Sequence, residues 1–254
     1  TVALNPSAGR YPRTSAFRAI NAIASNKELE LVRQSFLAEV AELKREWLAE
    51  LVSGVIPTEH SVVWLMACLE KSNPKEQYTV DYLVDSVNEF VDAAEIELLT
   101  QIITGLNKLL NTPPVIERRH CEVSERFQWL LEPASKAVKR LILIRDHEAL
   151  KKDSLDILHK LPVGHAYGVS SLSKLKDEFS NLVPEWQELS RKLFWFEVQR
   201  SREAQNRKRG ERLTNYWHAS IFGSFWQFDE SDFDYICDEI ISQPFLDDKM
   251  VALS

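Results

Sequence analysis

Apolar residues recur at spacings of three and four along most of this chain, and that period constrains the fold more than any other feature. It is clearest over 26–51, where one helical face would carry Leu29, Val32, Phe36, Val40, Leu43, Trp47 and Leu51. The 254 residues include only seven glycines and ten prolines, which argues against an all-β fold with many tight turns. The period predicts one long amphipathic helix over 26–51, ended by Gly54.

The same period predicts about ten helices joined mostly by short loops. Thr58 would cap an apolar, largely buried helix, and Asp92 with Glu95 would form a capping box ahead of a helix over 96–110. Further helices are predicted over 124–131, from Pro133, over 146–160 and 171–182, from Pro184 to Gly210, and over 229–245 with Phe233, Ile236 and Ile240 facing inward. The predicted fold class is all-α: stacked antiparallel helix pairs, in an irregular α-solenoid or a compact helical domain.

The motif NTPP at residues 111–114 ends the helix before it, because proline cannot continue a helix. This motif is the best candidate for an internal boundary. It predicts an N-terminal helical subdomain at 1–112 and a C-terminal helical subdomain at 113–254.

The stretch LFWFEVQRSREAQNRKRGERLTNYW, residues 193–217, places a basic run between two aromatic clusters. On a helical wheel the apolar side chains surround the helix as far as Val198, whereas from 199 to 209 Ala204 is the one nonpolar residue. We therefore expect the helix to leave the core near Val198 and to form a protruding helical hairpin near 199–212. Its tip gives the candidate interaction surface, which consists of Arg200, Arg202, Arg207, Lys208, Arg209 and Arg212.

Two interpretations of these cations are open. In the favoured one they form a solvated tip that pairs locally, for instance Glu203 with Arg207, or with the acidic segment after residue 228. In the alternative they bind nucleic acid by charge alone, since buried aromatic side chains cannot stack on bases. The net charge of −7 restricts any phosphate binding to a local patch of this kind.

No motif for catalysis, cofactor binding or metal binding occurs in the sequence. GxxxxGK[ST], GxGxxG and GxSxG are absent, and the six histidines show no HxxxH or HExxH spacing. His120 precedes Cys121, but neighbours in sequence do not generally face each other, so a chance neighbour is favoured over a Cys–His dyad. We therefore expect no enzyme and no catalytic, cofactor or metal residues; an enzyme with a site assembled from dispersed residues is the remaining alternative.

The cysteines Cys68, Cys121 and Cys237 are odd in number and far apart, which favours a reducing cytoplasm. No apolar run reaches the roughly 18 residues of a membrane span, so we expect no membrane partner. The chain begins at TVALNP without a Met and ends on DDKMVALS, which resembles the start of a helix. Both ends favour a piece of a longer polypeptide.

The C-terminal segment, from LFWFEVQRSREAQNRKRGERLTNYWHASIFGSFWQFDESDFDYICDEI to DDKMVALS, resembles the helical-repeat region of very large bacterial NTPases of the STAND or NACHT-like kind, over about residues 192–254. In such proteins a P-loop module precedes a helical region that senses a ligand or partner, and several families serve antiviral defence. The resemblance implies a sensor or scaffold role without NTPase activity, because the P-loop residues have no counterpart here. The expected function is a non-catalytic recognition or scaffold segment of a larger cytoplasmic bacterial protein, which contacts other domains of that protein or a protein partner.

Overall fold

Helices fill most of the described chain, as the apolar period predicts. The computed structural model describes residues 2–5, 7–38, 43–75, 80–118, 121–163, 170–204, 224–242 and 244. The helices of that part are α1 (Arg10–Ile23), α2 (Asn26–Leu37), α3 (Arg45–Val52), α4 (Glu59–Lys71), α5 (Tyr82–Ala93), α6 (Ile96–Leu110), α7 (Leu131–Leu143), α8 (Lys152–Lys160), α9 (Ser170–Leu182), α10 (Gln187–Ala204) and α11 (Phe233–Ser242). Two short strands, β1 (Val115–Arg118) and β2 (Cys121–Ser124), lie between α6 and α7, and single 3-10 turns occur at Gln128–Leu130, His147–Leu150, Leu161–Val163 and Glu230–Asp232.

The helices stack in two rows, according to their alternate position in the chain. In the odd row α1, α3, α5, α7 and α9 contact one another in succession, and in the even row α2, α4, α6, α8 and α10 do the same. Contacts of α7 with α6 and α8 join the rows. Within each row every helix therefore packs on the neighbouring members of that row. The predicted all-α fold of stacked helix pairs is confirmed.

Most buried apolar side chains of the described residues form one connected cluster from Ala3 to Phe225, with members on both sides of residue 112. Phe194 and Val198 form a second, small cluster. Trp47, Trp64 and Trp186 belong to it, so these tryptophans are core residues, as their positions on apolar faces indicate. The division into subdomains at 1–112 and 113–254 stays a prediction.

Local signals place several helix ends correctly. The Thr58 hydroxyl accepts a hydrogen bond from the Ser61 N–H (3.2 Å) at the start of α4, as expected of a capping residue. Helix α6 covers the predicted range 96–110. The predicted capping box with Asp92 is wrong, because Glu95 is the N-cap residue of α6 and makes no side-chain cap hydrogen bond.

The long helix predicted over 26–51 is wrong, since α2 and α3 are separate helices. Near the start of α3 the Leu43 N–H donates to the Lys71 carbonyl, and the Leu43 carbonyl accepts from the Asn73 N–H, both at 2.8 Å. This extended segment lets α2 join the even row and α3 the odd row. The apolar period continues through the break because both helices bury apolar side chains in the same core.

The helix predicted over 124–131 is also wrong. In place of that helix, strand β2 ends at Ser124 and the 3-10 turn Gln128–Leu130 follows. The strand belongs to the antiparallel hairpin β1–β2, in which Ile116 lies opposite Val123. Strand β2 packs on α6 and α8, so it lies against the even row. The hairpin thereby brings Cys121, the first residue of β2, next to α8.

Helix α11 contacts the body through a different face from the predicted one. The Tyr235 hydroxyl accepts from Trp195 Nε1 (2.5 Å), and the Arg191 guanidinium lies 4.1 Å from the centre of the Tyr235 ring. None of the ten residues of α11 is buried, and Phe233 is 67% exposed. The expectation that Phe233 faces inward is therefore wrong for the described residues, because Tyr235 holds the helix by its opposite side.

Candidate functional site

The six cations of the predicted interaction surface fall partly outside the described residues, namely Arg207, Lys208, Arg209 and Arg212. Arg200 and Arg202 are described, on the last turns of α10. Arg200 Nη1 donates to Glu203 Oε2 at 2.7 Å, and the Arg202 residue is 4% exposed. The predicted exposed position is therefore wrong for Arg202, while Arg200 pairs locally as the favoured interpretation expects.

Helix α10 does not leave the core at Val198. Ser201 and Arg202 are 3% and 4% exposed, so the helix stays packed for at least one further turn. A helical wheel cannot show this, because it assigns polar residues to solvent, whereas α10 packs on α8, which itself presents polar side chains. The described part of the predicted hairpin does not protrude, and its residues after 204 lie outside the described range.

A buried polar cluster consists of His159 on α8, Glu197 on α10 and Cys121 on β2, since both α10 and β2 pack on α8. Cys121 and Glu197 are both 2% exposed, and the His159 side chain is 12% exposed. Glu197 Oε1 lies 3.5 Å from His159 Nδ1. The three side chains come from separate elements, so the fold and not the local sequence assembles them.

Glu197 is held in place by donors from the segment that follows α10 in the described chain. Its Oε2 accepts from Trp226 Nε1 (2.9 Å) and from the Ser224 hydroxyl. With Oε2 occupied, Oε1 faces the imidazole of His159, whose ring also packs edge-on against Phe196 with centroids 6.0 Å apart. The Glu197 carboxylate is therefore held at ion-pair distance from the imidazole of His159.

The protonation of His159 reflects two opposing effects. Burial disfavours the charged imidazole, but hydrogen bonds and charge from Cys121 and Glu197 outweigh it and raise the pKa of His159 from 6.5 to about 9. His159 Nε2 is buried and makes no hydrogen bond of normal geometry. At neutral pH His159 therefore favours the imidazolium form.

A buried ion pair lies on the same helix. Lys160 Nζ is 2.7 Å from Asp156 Oδ1, with side chains 0% and 7% exposed, and Asn111 Nδ2 donates to Asp156 Oδ2 (2.9 Å). Burial alone would raise the pKa of Asp156, but Lys160, Asn111 and the charge of Arg200 lower it below its ordinary value. Helix α8 is thus buried on its charged side as well as on its apolar side.

Sequence reasoning did not find the buried polar cluster. The adjacent pair His120–Cys121 is the Cys–His contact that the sequence offers, and His120 lies outside the described residues. The histidine whose pKa Cys121 raises is His159 instead. No spacing rule in the sequence relates a strand residue to residues of two later helices. The relation between this Cys, His and Glu becomes visible only when it is known which elements stack together.

Two further properties concern the described residues as a whole. None of their helices has the length and apolar composition needed to cross a membrane. Their His, Cys, Asp and Glu side chains do not come together in a group of three or more placed to hold a metal ion.

Comparisons with known proteins identify no relative of this chain. No family model matches it, and neither a curated protein nor a solved structure shows significant similarity to it.

Proposed function

We propose that this chain is a non-catalytic helical recognition or scaffold segment of a larger cytoplasmic bacterial protein. The resemblance of its C-terminal segment to STAND or NACHT-like repeat regions suggests the sensor region of an antiviral-defence NTPase as the context. The two-row stack supports a scaffold role, because stacked helix pairs present extended surfaces on which a partner can bind.

The apolar face of α11 is the observation that carries the proposal. Phe233 and Ile241 are 67% and 77% exposed, while Tyr235 on the other side of the helix contacts Trp195. An amphipathic helix that packs by its tyrosine and leaves large apolar side chains exposed is suited to contact a further helix. The partner proposed for this face is a helix of another domain of the same larger protein.

Acidic residues at the start of α11 and along it give the surface a negative charge. Asp229 and Glu230 precede the helix, and Asp234 and Asp238 are exposed along it. A partner helix would therefore combine apolar residues at its centre with basic residues at its rim.

Amide hydrogen exchange can test the proposal directly. We expect the amides of α11 to exchange more slowly in the polypeptide encoded by the complete open reading frame than in the 254-residue chain. The substitutions Phe233→Ser and Ile241→Ser should remove this added protection. Val63→Ser, which changes a 60% exposed apolar residue on α4, serves as the matched control and should leave it intact. Equal exchange in both polypeptides, or an open reading frame that encodes nothing beyond this chain, would overturn the proposal.

A further inference from the structure

We propose that one side of α10 is a recognition surface for an extended segment with aromatic side chains followed by an acidic residue, and that residues 224–235 occupy this surface in cis as a reversibly docked strap. The strap comprises residues 224–229, the 3-10 turn Glu230–Asp232 and the first turn of α11. The inference does not rest on the proposed scaffold function, because that function uses the exposed apolar face of α11 and not the contacts with α10.

The strap first runs antiparallel to α10 in an extended form. At its start the Ser224 hydroxyl and Trp226 Nε1 donate to Glu197, and further along Gln227 contacts Ser190. Glu197 and Ser190 are two helical turns apart, which is about 11 Å along the axis. The three residues from Ser224 to Gln227 span about that distance only when the chain is nearly fully extended. The surface therefore takes up an extended segment.

One contact on this surface recognises the backbone of the strap. The Ser190 hydroxyl donates to the Gln227 carbonyl at 2.7 Å and accepts from the Gln227 N–H at 2.8 Å. A hydroxyl can do both at once, and Ser190 is 1% exposed, so its position is fixed by packing. The Gln227 side chain is exposed. This contact would therefore accept any residue of an extended segment at that position, as main-chain recognition by an added strand does.

Aromatic side chains of the strap pack on Phe194, which is 3% exposed. The Phe194 ring lies 4.7 Å from the Trp226 ring and 5.1 Å from the Phe228 ring, between centroids. Positions 226 and 228 share one side of an extended chain, while Phe225 points to the other side, where its ring lies 5.7 Å from that of Phe179 on α9. The surface therefore selects aromatic residues at alternate positions of the segment.

A guanidinium binds the acidic end of the strap. Arg191 Nε donates to Asp232 Oδ1 at 2.8 Å, and Arg191 Nη2 lies 2.7 Å from the same oxygen. Asp232 is 3% exposed, so its carboxylate needs this charged donor in place of water. The same guanidinium lies 4.1 Å from the centre of the Tyr235 ring. Arg191 thus requires a carboxylate at this end of the segment.

The distribution of buried side chains allows the strap to leave without unfolding the body. Within the strap Phe225 and Asp232 are buried, and the other residues are half-buried or exposed. Segments with few buried contacts open at a lower free energy than the core does. On its opposite side α10 is held by Leu189 and Leu193, both 0% exposed in the main core. Undocking would therefore uncover Phe194 while α10 stays in place.

A labelled peptide with the sequence of residues 224–235 tests the proposal by fluorescence anisotropy with the 254-residue chain. In the unmodified chain the strap competes at a high effective concentration, so we expect weak binding. The double variant Phe228→Ala/Tyr235→Ala loosens the strap and should raise the affinity for the peptide at least about tenfold. Tyr82→Ala removes a 61% exposed ring on α5 and, as the matched control, should leave the affinity unchanged.

A further substitution tests whether the peptide binds in the manner of the strap. In the loosened chain Arg191→Gln should weaken peptide binding at least about tenfold, because the peptide carboxylate that corresponds to Asp232 loses its cation. Binding that is unchanged by Arg191→Gln, equal affinity of the loosened and unmodified chains, or no binding to a loosened chain of unchanged helix content would overturn the proposal.

Native-state amide hydrogen exchange keeps the proposal testable if the double variant does not fold. In the unmodified chain we expect the strap amides to be protected at least about tenfold less than those of α6, because the strap opens separately. Equal protection of the two segments would overturn the proposal.

Discussion

Replacing Lys160 with methionine leaves the buried Asp156 carboxylate without its cation while nearly conserving the volume of the side chain. The ion pair spans 2.7 Å, and neither side chain is more than 7% exposed. Asn111 still donates to the other carboxylate oxygen at 2.9 Å, but a neutral donor does not compensate a buried charge. We therefore expect Lys160→Met to lower the free energy of unfolding strongly.

Two estimates bound the loss of unfolding free energy expected for Lys160→Met. Breaking a buried ion pair by removing one partner costs about 3–5 kcal/mol. Asp156 can avoid that cost by taking up a proton, and at pH 7 this requires about 4 kcal/mol for a carboxyl group with an ordinary pKa near 3.9. The expected loss is thus about 3–4 kcal/mol at pH 7. At pH 5 protonation costs only about 1.5 kcal/mol, so the loss should shrink accordingly.

Asp156 makes the stability of the unmodified chain and that of Lys160→Met depend on pH in opposite directions. In the unmodified chain the pKa of Asp156 is lowered, so its stabilising contribution is present at neutral pH and is lost as the pH falls through the folded-state pKa. In Lys160→Met the folded state binds a proton that the unfolded chain releases, so its stability rises as the pH falls from 7 to 5. The two stabilities therefore converge toward acid.

Urea unfolding at pH 7 and pH 5, followed by circular dichroism and tryptophan fluorescence together, measures these differences. The double variant Asp156→Asn/Lys160→Met carries no charge at the site and should lose the pH dependence. Lys151→Met removes the cation of an exposed pair with Glu148 and should cost less than about 1 kcal/mol. A loss below about 1 kcal/mol for Lys160→Met at pH 7, or one that does not change with pH, would refute the argument.

Three further outcomes are expected. Gly105→Ala should lower the melting temperature of the chain, because the added Cβ would lie 2.7 Å from Met66 Cγ and Sδ, although alanine raises helix propensity by about 1 kcal/mol. In a Met66→Ala background the same substitution should stabilise the chain. Stabilisation in both backgrounds would contradict the packing argument. The raised pKa of His159, about 9 against 6.5, gives stability that is fully present below pH 6.5 and is lost as the pH rises through 9. His159→Gln should therefore cost on the order of 3 kcal/mol at pH 6 and much less at pH 9.5 in urea unfolding, and a cost that does not depend on pH would speak against the shift. Fluorescence anisotropy at low salt should show no binding of RNA or DNA; salt-dependent binding that is lost on charge reversal at 207–209 would favour the nucleic-acid alternative.

The sequence predicts a helix correctly where one stretch of apolar periodicity corresponds to a single helix. Helix α6 is such a case, and so is α4 with its Thr58 cap. The method fails over 26–51, because two helices that share a core continue the same period across a break. It fails again at 115–131, where the two four-residue strands are too short to be recognised from their alternation, and the 3-10 turn Gln128–Leu130 stands within the predicted helix 124–131.

The site residues were less accessible, for a different reason. The basic segment was singled out because six cations lie within thirteen residues of the sequence, yet one of them, Arg202, is buried. Cys121, His159 and Glu197 carry no local signal, since their relation depends on which elements stack together. Apolar periodicity predicts an apolar and a polar face for each helix, but it does not predict which polar faces pack against other elements of the fold.

Helix α8 shows why this distinction matters for function. Its sequence is strongly amphipathic, which is typical of a surface helix, yet α6, α7, α10 and β2 all pack on it. Its charged side must therefore find partners in the interior, and it does so in two ways. Asp156 and Lys160 neutralise each other within the helix, an arrangement that neutral residues of similar volume can replace at little cost. His159 depends instead on other elements, because Glu197 of α10 lies 3.5 Å from its Nδ1 and, with Cys121 of β2, raises its pKa to about 9. The covered polar side of α8 therefore finds one partner within the helix itself and others on the elements that pack against it.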